Sequence, residues 1–198
     1  MIHKTLIAAV LLASTTLAGD VKLSKRGALL FSEDFSGSAL ASEWKGKPGK
    51  WEVHNGVVKV SEVKEDKHVA VRRHPLSYHD AIIELWFEMD GANAVHISLN
   101  SKDGHVCRVI VNKAGMTLQL DRPLPVEKLV SSPVQIEQGK WHKLVFEVRG
   151  RKMIAQLDDN APISAENVNI DVDKIDIGLP VGGVSAQLKG LKVFAPAK

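Results

Sequence analysis

Four consecutive runs between residues 81 and 121, AIIELWFEMD, AVHISLN, HVCRVIV and MTLQLD, alternate apolar and polar residues and are joined by the turn-rich links GAN, SKDG and NKAG. Period-two alternation buries one face only when successive side chains point to opposite sides, which is the geometry of a strand and not of a helix. In the first run Ile83, Leu85, Phe87 and Met89 share one face, and Glu84, Trp86, Glu88 and Asp90 share the other. The short links predict a meander of four consecutive antiparallel strands.

Loop length sets the register of such a meander. With Gly91, Ala92 and Asn93 as a three-residue loop, Glu88 faces His96, Trp86 faces Ser98 and Glu84 faces Asn100. With Lys102, Asp103 and Gly104 as the next loop, Ser98 opposes Arg108 and Asn100 opposes Val106, while Cys107, Val109 and Val111 join Ile97 and Leu99 on the apolar side. A four-residue link at 112–115 then sets Arg108 against Gln119, Val106 against Asp121 and Ile110 against Thr117. One polar row is therefore expected to run Trp86, Ser98, Arg108, Gln119 across adjacent strands. Rows Glu84, Asn100, Val106, Asp121 and Glu88, His96, Ile110, Thr117 flank it.

Residues 1–18 have the pattern of a cleavable signal peptide: Lys4, an apolar run at 6–12, and small residues Thr16, Leu17 and Ala18 before Gly19. The apolar run falls short of the roughly 20 residues that span a bilayer. The expectation is an exported protein, periplasmic or secreted, without membrane insertion. Residues 19–27 read as a flexible leader and 28–196 as one domain. The net charge of +3 is spread among interspersed acids and bases, which argues against nucleic acid as a partner. Cys107 is the only cysteine, so no internal disulfide forms, and its place on the apolar face predicts an inert buried thiol.

Further strands are expected at 28–35, at 51–53 and 57–60 around the hairpin signal His54, Asn55, Gly56, and at 69–73, 143–149, 152–157, 174–179 and 186–194. Residues 74–80, interrupted by Pro75, read as a connection, and the proline-rich stretch 122–133 as a surface crossing. The runs 29–35 and 191–194 are expected to pair. With no long amphipathic helix in the chain, the class is all-β, a sandwich or a barrel.

Several segments carry a resemblance: FSEDFSG at 31–37 with Trp44 downstream, WEVHNGV at 51–57, and GKWH at 139–142 followed by a strand, a turn and Leu157, Asp158, Asp159. Over about residues 29–194 the chain resembles the concanavalin A-like superfamily, including laminin G-like domains. Within it the chain is similar to the secreted bacterial family labelled 3-keto-disaccharide hydrolase, also described as family 16 glycoside hydrolase-like. The resemblance implies a jelly-roll β-sandwich of two antiparallel sheets and a function in carbohydrate recognition. It also implies an alternative, a hydrolase or lyase acting on 3-keto-disaccharides or related glycosides.

An aromatic face flanked by fixed polar groups suits a shallow sugar site. The candidate ligand-binding residues are accordingly Trp86, Ser98, Asn100, Arg108, Gln119 and Asp121; the competing reading of Trp86 and Arg108 is a guanidinium covering an exposed indole. Candidate catalytic residues are Glu88, His96 and Glu84, with Glu88 and His96 as an acid/base pair or simply a cross-strand ion pair. Glycosidase carboxylates stand about 5 to 9.5 Å apart, whereas Glu84 and Glu88 are about 13 Å apart along one strand. Glu88 and Asp90 are closer, but a third acid would be needed where Asn93 stands. Asp158, Asp159 and Asn160, or Asp171, Asp173 and Asp176, offer oxygens for calcium without the spacing of a ligand loop, so no metal or cofactor is expected. The expected partner is a glycan or small saccharide. A third reading is docking to another envelope protein.

Overall fold

The computed structural model describes residues 21–46 and 48–197; the signal segment expected at 1–18 lies outside them. The strands in chain order are β1 (Arg26–Glu33), β2 (Lys50–His54), β3 (Val57–Ser61), β4 (Arg73–Tyr78), β5 (Ala81–Met89), β6 (Ala92–Ser101), β7 (Gly104–Asn112), β8 (Gly115–Leu120), β9 (Glu127–Ser132), β10 (Trp141–Arg149), β11 (Lys152–Leu157), β12 (Ile163–Glu166), β13 (Lys174–Gly178), β14 (Val181–Gly183) and β15 (Ala186–Pro196). They form two antiparallel sheets. One has the order β12-β11-β10-β5-β15-β3-β2 with β1 beside β15, and the other β4-β13-β6-β7-β8-β9 with β14 beside β6. No helix among the described residues is long and apolar enough to cross a membrane.

The alternation determines what is inside. Ile83, Leu85, Phe87 and Met89 of β5 pack with Leu144, Phe146 and Val148 of β10, opposite Ile97, Leu99, Val109, Val111, Leu118 and Leu120 of the second sheet. Each of these side chains is buried and contributes about 1.5–3 kcal/mol by leaving water, which lets the core stand in for disulfides. Cys107 lies within this core, where burial pushes its thiol up to about 12. The expected pairing of the two terminal runs is present, with Leu29 opposite Phe194 and Glu33 opposite Leu191. β1 begins at Arg26, and Ser24 before it donates to Glu147 from its backbone N (2.7 Å) and its Oγ (2.5 Å).

The meander is corrected at its first link. β5 does not pair with β6: its neighbours are β10 and β15, and β6 belongs to the opposite sheet. At the corner, Asp90 N donates to Ser185 O, Ser185 Oγ donates to Asp90 O, and Val184 N donates to Gly91 O. The chain thus crosses between sheets where a hairpin was expected. A short link and an alternating pattern serve an arch between facing sheets as well as they serve a hairpin. The remaining three strands, β6, β7 and β8, do form the predicted meander, with Ser98 opposite Arg108, Arg108 opposite Gln119 and Ile110 opposite Thr117. A bulge after Leu99 sets Asn100 against His105 instead of Val106.

Two further segments differ from expectation. The strand expected at 69–73 is displaced: β4 runs through Pro75, and Ala70 makes only an isolated bridge to Val181. Within 122–133, the segment Glu127–Ser132 is a strand. Both β4 and β9 are at the ends of their sheet, where a missing proline N–H or irregular flanks are tolerated.

Candidate ligand-binding face

On the outer side of the seven-stranded sheet, opposite the core, one row crosses six strands: Arg73 on β4, Gly178 on β13, Ser98 on β6, Arg108 on β7, Gln119 on β8 and Lys128 on β9. Gly178 is what allows Arg73 to lie along this row. A Cβ there would stand 2.7 Å from Ser98 Oγ and 2.8 Å from Arg73 Cζ. Across the vacant space Arg73 donates from Nη1 to Asp176 Oδ1 (2.6 Å) and from Nη2 to Ser98 Oγ (2.9 Å).

The neighbouring positions extend the network. Asp176 Oδ2 accepts from Asn100 Nδ2 (3.2 Å), and Asn100 Oδ1 accepts from His105 Nδ1 (2.7 Å). Arg108 Nε donates to both oxygens of Asp121 (2.9 and 2.8 Å), and Gln119 Nε2 donates to Asp121 Oδ1 (2.8 Å). Asp121 is buried beneath these partners. His96 stands beside the Arg108–Asp121 pair. Its burial, reinforced by the Arg108 charge, pushes its pKa down to about 4, so the ring is neutral at pH 7. His96 Nδ1 is buried without a hydrogen-bond partner among the described residues. His105 is held below the usual range by burial and then by Arg73 and Arg108.

Of the residues singled out in the sequence, Ser98, Asn100, Arg108, Gln119, Asp121 and His96 meet on this face. Trp86 does not. It lies on the other sheet, 38% exposed, between Lys143 of β10 and Lys189 of β15. Glu84 and Glu88 are there too: Glu84 pairs with Arg26 and with Lys143 (3.1 Å), and Glu88 accepts from Gln187 Nε2 (2.9 Å). The Glu88–His96 acid/base pair is therefore excluded, because the core separates its members. Arg73, Asp176, His105 and Lys128 were not anticipated on this face. The legible signal was Gly178 inside the apolar run Ile177 to Leu179, since an isolated strand glycine marks a close approach.

Of the carboxylates considered for calcium, Asp158, Asp171, Asp173 and Asp176 have protein partners. Asp158 takes His142 Nδ1 and the backbone N of Lys143, both at 2.7 Å. Asp171 and Asp173 hold the two ring nitrogens of His79, at 2.9 and 2.8 Å. Among the described residues no group of three or more His, Cys, Asp or Glu is placed to hold a metal ion. A cavity of about 840 Å³ lies away from the row, at the β6–β7 turn, lined among others by His79, Ser101, Asp103, Asp171 and Asp173.

In three dimensions the chain is similar to the carbohydrate-binding module CBM66 from Bacillus subtilis, at 16% identity over 77% of this chain and 96% of that one, with a TM-score of 0.60. It is similar to the laminarinase from Rhodothermus marinus at 10% identity over 89% and 100%, with a TM-score of 0.61. It is also similar to the CBM2 module of the evolved Dit of Lactobacillus casei BL23 phage J-1, at 8% identity over 89% and 99%, with a TM-score of 0.59. The fold is the concanavalin A-like jelly roll. No protein-family model and no curated protein matches the sequence. At these identities the concanavalin A-like likeness speaks for architecture, and the function must be argued from the face.

Proposed function

We propose that this chain is an exported carbohydrate-recognition module, periplasmic or secreted, whose ligand lies on the outer face of the seven-stranded sheet. The observation that carries the reading is the cross-braced row Arg73, Ser98, Arg108, Gln119. Its donors are fixed by Asp176 and Asp121 before any ligand arrives, so little side-chain entropy is lost on binding. Two of the structural neighbours named above are carbohydrate-binding modules, which supports the same reading.

Binding is favoured over glycoside hydrolysis. The carboxylates on this face, Asp121 and Asp176, stand three strands apart, about 14 Å at the usual strand spacing, against the 5 to 9.5 Å or so that glycosidases use. Each is also engaged by its own arginine. The test is a glycan array followed by calorimetry. Arg108→Ala and the milder Gln119→Ala should weaken the best glycan by about tenfold or more, as expected for losing a charge-assisted contact. Trp86→Ala should leave binding unchanged. Loss of binding in Trp86→Ala with Gln119→Ala intact would move the site to the eight-stranded sheet, and turnover of a 3-keto-disaccharide by the wild type would reinstate the enzyme.

A further inference from the structure

Which polar groups on this face remain unengaged bears on the kind of sugar it takes. Most of the acceptors are occupied from within. Asp176 receives Arg73 and Asn100, Asp121 receives Arg108 and Gln119, Ser98 Oγ receives Arg73, and Asn100 Oδ1 receives His105. The donors are not. Arg108 is fastened through Nε alone, so Nη1 and Nη2 have no partner among the described residues, and its side chain is 20% exposed. Lys128, which continues the row beyond Gln119, is exposed and has no ion pair among the described residues. Arg122, whose guanidinium lies against Gly104 at the β6–β7 turn, has none among them either.

The charges agree with this inventory. Arg73, Arg108 and Lys128 stand on the row against Asp121 and Asp176, and Arg122 adds a further positive charge at the turn end, where Lys102 and Asp103 cancel. Glu127 precedes Lys128 but pairs with Leu120, on the opposite side of the pleat. The face is therefore rich in free donors, positively charged, and organised around a guanidinium whose outer edge is vacant. The parallel N–H pair along that edge matches a carboxylate.

Resting on the reading of this face as the sugar site, we infer that its ligand is an acidic glycan, a uronic-acid oligosaccharide whose carboxylate seats on Arg108 Nη1 and Nη2 with Lys128 nearby. The ring hydroxyls would donate to Gln119 Oε1 and to the neutral imidazole of His105, the acceptors left open on this face.

The experiment is calorimetry of the full chain with galacturonate, mannuronate and glucuronate oligomers, each beside its carboxyl-reduced neutral counterpart. At least one uronate should bind about tenfold or more tighter than its reduced form, with the preference shrinking as salt rises. Arg108→Gln should abolish the preference. Because that variant leaves Asp121 buried without its arginine, Lys128→Gln is measured alongside: it is exposed, should fold normally, and should reduce the preference severalfold. Equal or tighter binding of the neutral forms overturns the inference and leaves the sugar site standing. Binding of neither form overturns both. A uronate preference unchanged in both variants places the acidic sugar elsewhere and also overturns the inference.

Discussion

Gly178 has no side chain, and Arg73 lies in the space this leaves. Gly178→Ala puts a methyl group where Ser98 Oγ and the guanidinium meet, so the arginine must leave either Ser98 or Asp176. The expected result is ligand binding weakened roughly tenfold, the worth of one charge-assisted hydrogen bond, with the melting temperature lowered less than by a substitution in the core; equilibrium binding and thermal melts of one preparation check it. His96 makes a different prediction. Its folded pKa of about 4 lies below the ordinary histidine value of 6.5, so between these values the unfolded chain takes up a proton that the folded chain refuses. Stability from this residue is complete above about pH 6.5 and is lost as pH falls toward 4, by on the order of 3 kcal/mol. Chemical denaturation across that window should show the slope, and His96→Gln should flatten it.

β5 shows how far an alternating pattern reaches. Ile83, Leu85, Phe87 and Met89 point to the core as the sequence requires, and the β6–β8 registers match the expected ones away from the bulge after Leu99. The partner of β5 did not, because alternation states that one face is buried and is silent on which strand lies alongside. Its true neighbours β10 and β15 are remote in sequence, and no local spacing encodes them. The same limit hid Arg73 and Asp176, which reach the face on β4 and β13 through pairings that only the completed sheet defines. Trp86 consequently belongs to a separate surface, and Trp86→Ala is expected to cost about 1 kcal/mol of stability or less. At the edge of the other sheet, His79 bridges Asp173 and Asp171, and those hydrogen bonds hold its pKa above the usual value. Only an imidazolium has two N–H groups, so the bridge is complete below about pH 6.5 and loosens as pH rises through the raised pKa. Lys174 and Asp80, the other charged groups nearby, do not change that direction. An NMR titration of His79 that shifts back to the ordinary value in the Asp171→Asn, Asp173→Asn double variant checks the assignment.

For the molecule as a whole, β15 is the strand on which the eight-stranded sheet closes, since it pairs with β5, with β3 and with β1. Ending the chain before Ala186 should leave three strands with unpaired edges, and sedimentation of that truncation should find aggregate in place of monomer. The dependence also governs folding, because joining β5 to β15 closes a long loop before either sheet is complete, which slows folding relative to a local meander. On the ribosome the delay has a duration. β5 is made roughly a hundred residues before β15, and at about 5–20 residues per second its apolar length waits some 5–20 s for that partner. Through that interval only β10, made about fifty residues after β5, can cover one of its edges, and the other edge stays open until β15 emerges.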